Sequence, residues 1–142
     1  MLVDANLLLY AVDAEAPEHE RAARWLEEQL NGHRRVALPW ESIGAFVRIA
    51  THPRASANPV SVADAWDIVE SWLAVPTVWS PVPTDQHAAV FGDLLRRYRP
   101  TGNLIPDVHL AALAIEHGLE VCSADTDFAR FTEIRWCNPL AS

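Results

Sequence analysis

Short apolar runs that pass directly into amphipathic segments of helix length recur along the whole chain, and this alternation most limits the folds open to it. A strand that feeds a helix and then another strand builds a parallel sheet through right-handed crossovers. Met1 to Val3 opens the series and runs into Asp4, after which Asn6 to Asp13 reads as a short helix lined by Leu7, Leu8, Leu9 and Val12. Pro17 begins a helix over Glu18 to Leu30 that Asn31 and Gly32 stop, and Arg35 to Leu38 is a second strand. Pro39 suits a first-turn position for a helix over Trp40 to Thr51 with Ile43, Phe46, Val47 and Ala50 inward.

His52 to Pro59 is polar, and Ser61 with Asp64 then makes a capping box for a helix carrying Ala65, Ile68, Val69 and Trp72, so these two helices are expected to form a hairpin. A proline-bounded strand at Thr77 to Pro81 precedes a helix from Asp85 to Tyr98 and a loop from Arg99 to Leu104. Pro106 and Asp107 open a helix, Val108 to His117, that is apolar nearly all round and therefore expected to be buried; Gly118 ends it. Leu119 to Ser123 reads as a buried parallel strand, followed by a short helix through Phe131 and a last strand at Glu133 to Cys137. With 142 residues, half of them hydrophobic, the chain has room for one core. The expectation is a single α/β domain over 1–142, with a parallel sheet of four to five short strands flanked by helices.

Five carboxylates, Asp4, Glu41, Asp107, Asp125 and Asp127, stand at the edges of these apolar segments. In an α/β fold such edges converge where strands end and helices begin. Like charges packed together either shift their pKa values upward or take up a cation, and oxygen-only donors favour Mg²⁺ or Mn²⁺. Such an ion attracts phosphate oxygens, so an acidic protein can act on a polyanion. Each acid also has an ordinary reading: Asp4 as a turn residue, Glu41 and Asp107 as complements to a helix dipole, Asp125 as a cap, Asp127 as a solvated or capping aspartate.

The formal charge of −8 argues against gripping nucleic acid through an overall field, but leaves local basic patches open. No basic n-region precedes an apolar stretch, and Leu7 to Val12 is far too short to span a bilayer, so a cytoplasmic protein with no membrane association is expected. Cys122 and Cys137 lack zinc-site spacing and read as buried thiols. His109, two residues after Asp107, reads as a satisfied histidine before it reads as a ligand.

The segments VDANLLLYAVD, PWESIGAFVRIA, LIPDVHLAALAIEHG and SADTDFARF resemble, in the same order, those of PIN-domain ribonucleases, and more narrowly the VapC toxins of bacterial toxin–antitoxin pairs. The resemblance spans nearly the whole chain. It implies a three-layer PIN-like fold in which Asp4, Glu41, Asp107 and Asp125 match the family's four acids, with Asp127 as an accessory acid. Asn6 and Ser123 match its accessory polar residues. Ala5 departs from the pattern, since relatives often carry Thr or Ser there.

What the resemblance further implies is Mg²⁺- or Mn²⁺-dependent cleavage of structured RNA such as tRNA or rRNA, leaving a 5′-phosphate and a 3′-hydroxyl, by a homodimer controlled by a cognate VapB-type antitoxin. Asp4, Asp107 and Asp125 would hold the metal, and Glu41 would position or deprotonate water, or help a second ion. For phosphate contacts the candidates are Arg48, Arg54, Arg96, Arg97 and Arg99, and for base stacking Trp40. A cluster of cations in a last helical turn also complements the dipole, so the Arg96 to Arg99 group has a plain structural reading too.

Two other functions compete. A degenerate PIN module would use its acidic pocket to bind a partner's basic segment without catalysis; the intact acids disfavour it. A receiver-like or HAD-like phosphoacceptor also places acids at strand ends, but Asn6 stands where the latter needs a second Asp, and no late lysine is present to hold phosphate.

Overall fold

The computed structural model describes residues 1–141. β1 (Leu2–Val3) passes through Asp4 into α1 (Ala5–Val12), and α2 (His19–Leu30), β2 (Val36–Ala37), α3 (Trp40–Ala50), α4 (Val62–Leu73) and β3 (Val78–Trp79) follow. α5 (His87–Tyr98), a 3₁₀ turn (Gly102–Leu104), α6 (Ile105–His117), β4 (Val121–Cys122), a second 3₁₀ turn (Thr126–Arg130) and β5 (Trp136–Cys137) complete the described chain. The sheet has the order β3-β2-β1-β4-β5, and every pairing is parallel. Helices cover both faces, so the three-layer α/β expectation holds.

The strands are shorter than their apolar runs. Only two residues of each are regular, although single ladder bonds continue past them, from Asp4 N–H to Cys122 O (3.0 Å), Leu38 N–H to Trp79 O (2.8 Å) and Ser123 N–H to Cys137 O (3.1 Å). Pro39 and Pro81 have no N–H to donate, and Asp4 leaves the ladder to cap α1. α6 starts earlier than the apolar pattern suggests, at Ile105, so Pro106 lies in its first turn, where the missing N–H would have had no partner anyway. The short helix expected through Phe131 is the 3₁₀ turn Thr126–Arg130.

Successive strand residues point to opposite faces, and each face has its own core. Val3, Val36 and Cys122 join Leu7, Leu8, Leu26, Phe46, Val69 and Trp72 under α1 to α4. Leu2, Ala37 and Val121 join Leu94, Leu110, Leu113, Phe128 and Phe131 under α5 and α6. α6 is buried along most of its length, as its all-round apolar pattern requires. The expected hairpin of α3 and α4 closes through Phe46 and Trp72, whose rings meet edge to face at 4.9 Å. Ser61 caps α4 by accepting the Asp64 N–H at 3.0 Å. Among the described residues no helix is long and apolar enough to cross a membrane.

Two features of this topology place the site. β1 is central; the chain moves from it to β2 and β3 on one side, then crosses to β4 and β5 on the other, so the carboxyl ends of β1 and β4 border the switch point where α/β sheets open a crevice. Asp4 and Ser123 lie two residues beyond Leu2 and Val121, which sit under α6, so by strand alternation they face the same side, where the first turn of α6 carries Asp107.

Phe46 has no exposed surface. Phe46→Ala is expected to cost about 3–5 kcal/mol in urea unfolding, by lost burial and the cavity left behind. Gly44, on the same helix, has open space where a Cβ would stand, so Gly44→Ala is expected to shift the midpoint the other way, by roughly 0.5–1 kcal/mol.

Candidate functional site

Asp4 ends β1 and caps α1: one carboxylate oxygen accepts the Ala5 N–H at 2.7 Å, and the other accepts the Ser123 hydroxyl at 2.7 Å and the Asn6 amide at 3.4 Å. Ser123 has no exposed surface, and its oxygen also accepts hydrogen bonds from the Asn6 side chain (3.0 Å) and the Asp125 N–H (3.0 Å). Asn6 in turn accepts the Ala124 N–H at 3.2 Å. The segments after β1 and β4 are thus stitched together across the switch point by three side chains.

Asp125 caps the 3₁₀ turn by accepting the Asp127 N–H at 2.8 Å. From the facing first turn of α6 comes Asp107, and one carboxylate oxygen from each of Asp107, Asp125 and Asp127 falls within 4.8 Å of the others. Asp4 stands beside this trio. Burial, and then the charges of Asp125, Asp4 and Asp127, push the Asp107 carboxyl up to about 7, against some relief from Arg130. Burial also raises Asp4; Asp125 adds to that shift, while the Ser123 and Ala5 hydrogen bonds oppose it.

Glu41 stands in the first turn of α3, which follows β2 at its carboxyl end. Its neighbour Ser42, 1% exposed, donates to the Val3 carbonyl at 2.7 Å and so pins that turn to the end of β1. One Glu41 carboxylate oxygen, Oε2, is buried with no hydrogen-bond partner among the described residues. A buried acceptor without a donor is costly, and so is a carboxyl pushed up to about 7 by burial and by neighbouring carboxylates. A hard divalent cation among the aspartates offsets their mutual repulsion, and the all-oxygen donor set suits one.

The PIN domain family matches residues 1–134 of the chain. Ribonuclease VapC33 of Mycobacterium tuberculosis is 41% identical over 140 residues, covering 99% of this chain and 98% of that protein. Ribonuclease VapC37 of the same organism is 41% identical, covering 99% and 97%. The chain belongs to the VapC family of PIN-domain proteins. The VapC fold recurs in solved structures of lower identity. VapBC2 of Rickettsia felis, bound to a promoter DNA fragment, superposes with a TM-score of 0.68 at 14% identity, covering 96% of each chain. VapC20 of Mycobacterium tuberculosis, a sarcin-ricin loop cleaving toxin, superposes with a TM-score of 0.64 at 19% identity, covering 94% of this chain and 98% of that one.

Within this VapC fold, Asp4, Asn6, Asp107, Ser123, Asp125 and Asp127 come together, and Glu41 arrives with the first turn of α3. Asp127 stands inside the tightest trio, whereas Asp4 is more heavily hydrogen-bonded to its own protein. Trp40 is 50% exposed beside Glu41. Arg48 lies two turns farther along α3, about 10 Å along its axis from Glu41 by helix rise, and Arg54 lies beyond that helix; both are exposed. Arg96, Arg97 and Arg99 cluster where α5 ends, with Arg97 paired to Glu133 at 2.9 Å and Arg99 in a left-handed turn at φ 48°.

His109 turns away from the acids, packing edge-on against Phe91 at 4.8 Å and His87 at 5.5 Å. Two residues with a part in the site had no place in the sequence reading. Arg130 lies 3.2 Å from Asp127 and faces the cluster; its i, i+3 spacing from Asp127 was the available signal. Ser42 gave only the weaker signal of a small polar residue among inward positions.

The raised Asp107 carboxyl fixes the sign of a pH effect. Between its ordinary value of 3.8 and about 7, the folded chain holds a proton that the unfolded chain has released. Raising the pH through that interval therefore favours unfolding, and the effect levels off above it. Urea midpoints in EDTA should fall as pH rises from 4 to 7, with that part of the slope absent in Asp107→Asn; equal slopes in both proteins would contradict the assignment.

Proposed function

We propose that this chain, working as a single PIN domain over 1–142, is a metal-dependent endoribonuclease and the toxin of a toxin–antitoxin pair. The observation that carries the reading is the convergence of Asp4, Asp107, Asp125 and Asp127 at the switch point, in a chain that shares 41% of its residues with a VapC ribonuclease. The substrate is structured RNA such as tRNA or rRNA, and the cofactor is Mg²⁺ or Mn²⁺. The partners are a cognate VapB-type antitoxin and a second copy of the chain, in the cytoplasm.

Asp4, Asp107 and Asp125 would hold the cation, with Asp127 as accessory donor. Bound there, a divalent cation supplies positive charge against the scissile phosphate and acidifies water, which is sufficient for hydrolysis without a protein nucleophile. Ser123 and Asn6 keep the Asp4 carboxylate in one orientation, so little reorganisation accompanies the reaction. Glu41, whose free oxygen has no donor, accepts the proton from the attacking water. The new bond joins water oxygen to phosphorus, the bond from phosphorus to the 3′ oxygen breaks, and that oxygen takes a proton from solvent to leave as a hydroxyl, while Glu41 returns the proton it accepted to solvent. Arg130, beside Asp127, would meet a phosphate oxygen, and the exposed Trp40 would stack on a base splayed from the strand.

Purified, antitoxin-free protein is expected to give discrete products from total RNA in Mg²⁺ or Mn²⁺ and none in EDTA. Asp4→Asn and Asp107→Asn should each lower the rate by at least about 100-fold, and Ser123→Ala by about 10- to 100-fold, the scale for partners that orient metal ligands. Folded protein that leaves a tRNA and rRNA panel intact, or an Asp107→Asn variant as active as its parent, would overturn the reading.

A further inference from the structure

Strand alternation that turns Asp4 and Ser123 toward α6 turns Glu120, Cys122 and Cys137 the other way. Cys122 and Cys137 are register partners on β4 and β5, and Glu120 precedes Cys122 by two residues on the same face. The two sulfurs lie 3.4 Å apart, and a Glu120 oxygen falls within 4.8 Å of both. Cys122 is 2% exposed, while Cys137 and Glu120 are partly open. Glu120 also borders a cavity of about 340 Å³ whose lining includes Met1, Arg34, Arg35 and Arg135.

We infer that Glu120, Cys122 and Cys137 form a second metal site, for a thiophilic divalent cation of the zinc class, on the sheet face opposite the acidic centre. The alternative use of two apposed thiols is a disulfide, and the Glu120 carboxylate beside them favours the metal, since a disulfide makes no use of a third donor. A disulfide draws the sulfurs to about 2.05 Å. A tetrahedral ion with roughly 2.3 Å bonds to sulfur leaves its two sulfurs about 3.8 Å apart. From 3.4 Å the pair needs to open by a few tenths of an ångström for the metal, but to close by more than an ångström for the disulfide.

The donor types separate this site from the first. Thiolates select zinc-class ions over Mg²⁺ and Mn²⁺, which the aspartate cluster suits. Burial raises both thiols and keeps them protonated without a metal, so each bound ion displaces two protons. Two thiolates and one carboxylate then exceed the cation by one negative charge, and Arg34, 3.5 Å from Glu120, balances it. The fourth position is left to water from the cavity.

Co²⁺ titration of the chelator-treated full chain provides the test, because cobalt bound by thiolate shows a near-ultraviolet charge-transfer band that carboxylate ligands do not give. The expected result is one band-forming ion per chain, bleached by Zn²⁺. The band should be retained in Asp107→Asn and lost in Cys137→Ser, and Glu120→Gln should weaken binding at least about tenfold. In the unmutated chain, Zn²⁺ should slow alkylation of Cys137 by at least about tenfold, a readout that does not depend on any variant folding. No band from folded protein, a band that survives Cys137→Ser, an unweakened Glu120→Gln, or alkylation indifferent to Zn²⁺ would each overturn the site.

Discussion

The hydroxyl of Ser123 holds the molecule's two halves in register. It donates to Asp4 and accepts from Asn6 and from the Asp125 backbone, so residues more than a hundred positions apart share one buried oxygen. The chain on one side of the switch point is thereby joined to the chain on the other at the level where the carboxylates gather. Hydrogen bonds to charged groups contribute about 1.5–3 kcal/mol each, more than most surface ion pairs. Their larger effect is geometric, since they leave Asp4 no other orientation.

Holding acids together works against the fold. The Asp107 carboxyl sits far above its ordinary range because burial and three neighbouring aspartates disfavour its charge, and Glu41 keeps a buried oxygen without a donor. Groups of this kind persist when the surrounding packing over-determines them, and they concentrate where chemistry is done. α6 supplies that packing: its apolar surface is enclosed almost all round, so Asp107 is carried by one of the best-buried elements of the protein.

Much of this was legible in the residues. Helices were recognisable because their apolar spacing and their stops, such as Gly118 and the Ser61 to Asp64 box, are local features. The acids were legible for the same reason, each standing at a break between patterns. Strand lengths were not, because an apolar run does not record where its ladder partner stops; Pro39 and the capping role of Asp4 cut the regular pairing to two residues. Arg130 and Ser42 escaped because their roles depend on partners or facing groups that the fold brings up, as Ser42 meets Val3 from another element. His109 shows the reverse case: near Asp107 in sequence, it is turned by the helix toward Phe91.

The two-residue strands carry a last consequence. With so few ladder bonds, the sheet is held by the helices on its two faces, and the aspartates, on the turn after β1, the first turn of α6 and the 3₁₀ turn after β4, depend on both cores for their positions. A partner that covered the crevice would therefore meet the acids already assembled, with no ordering of the sheet left to do.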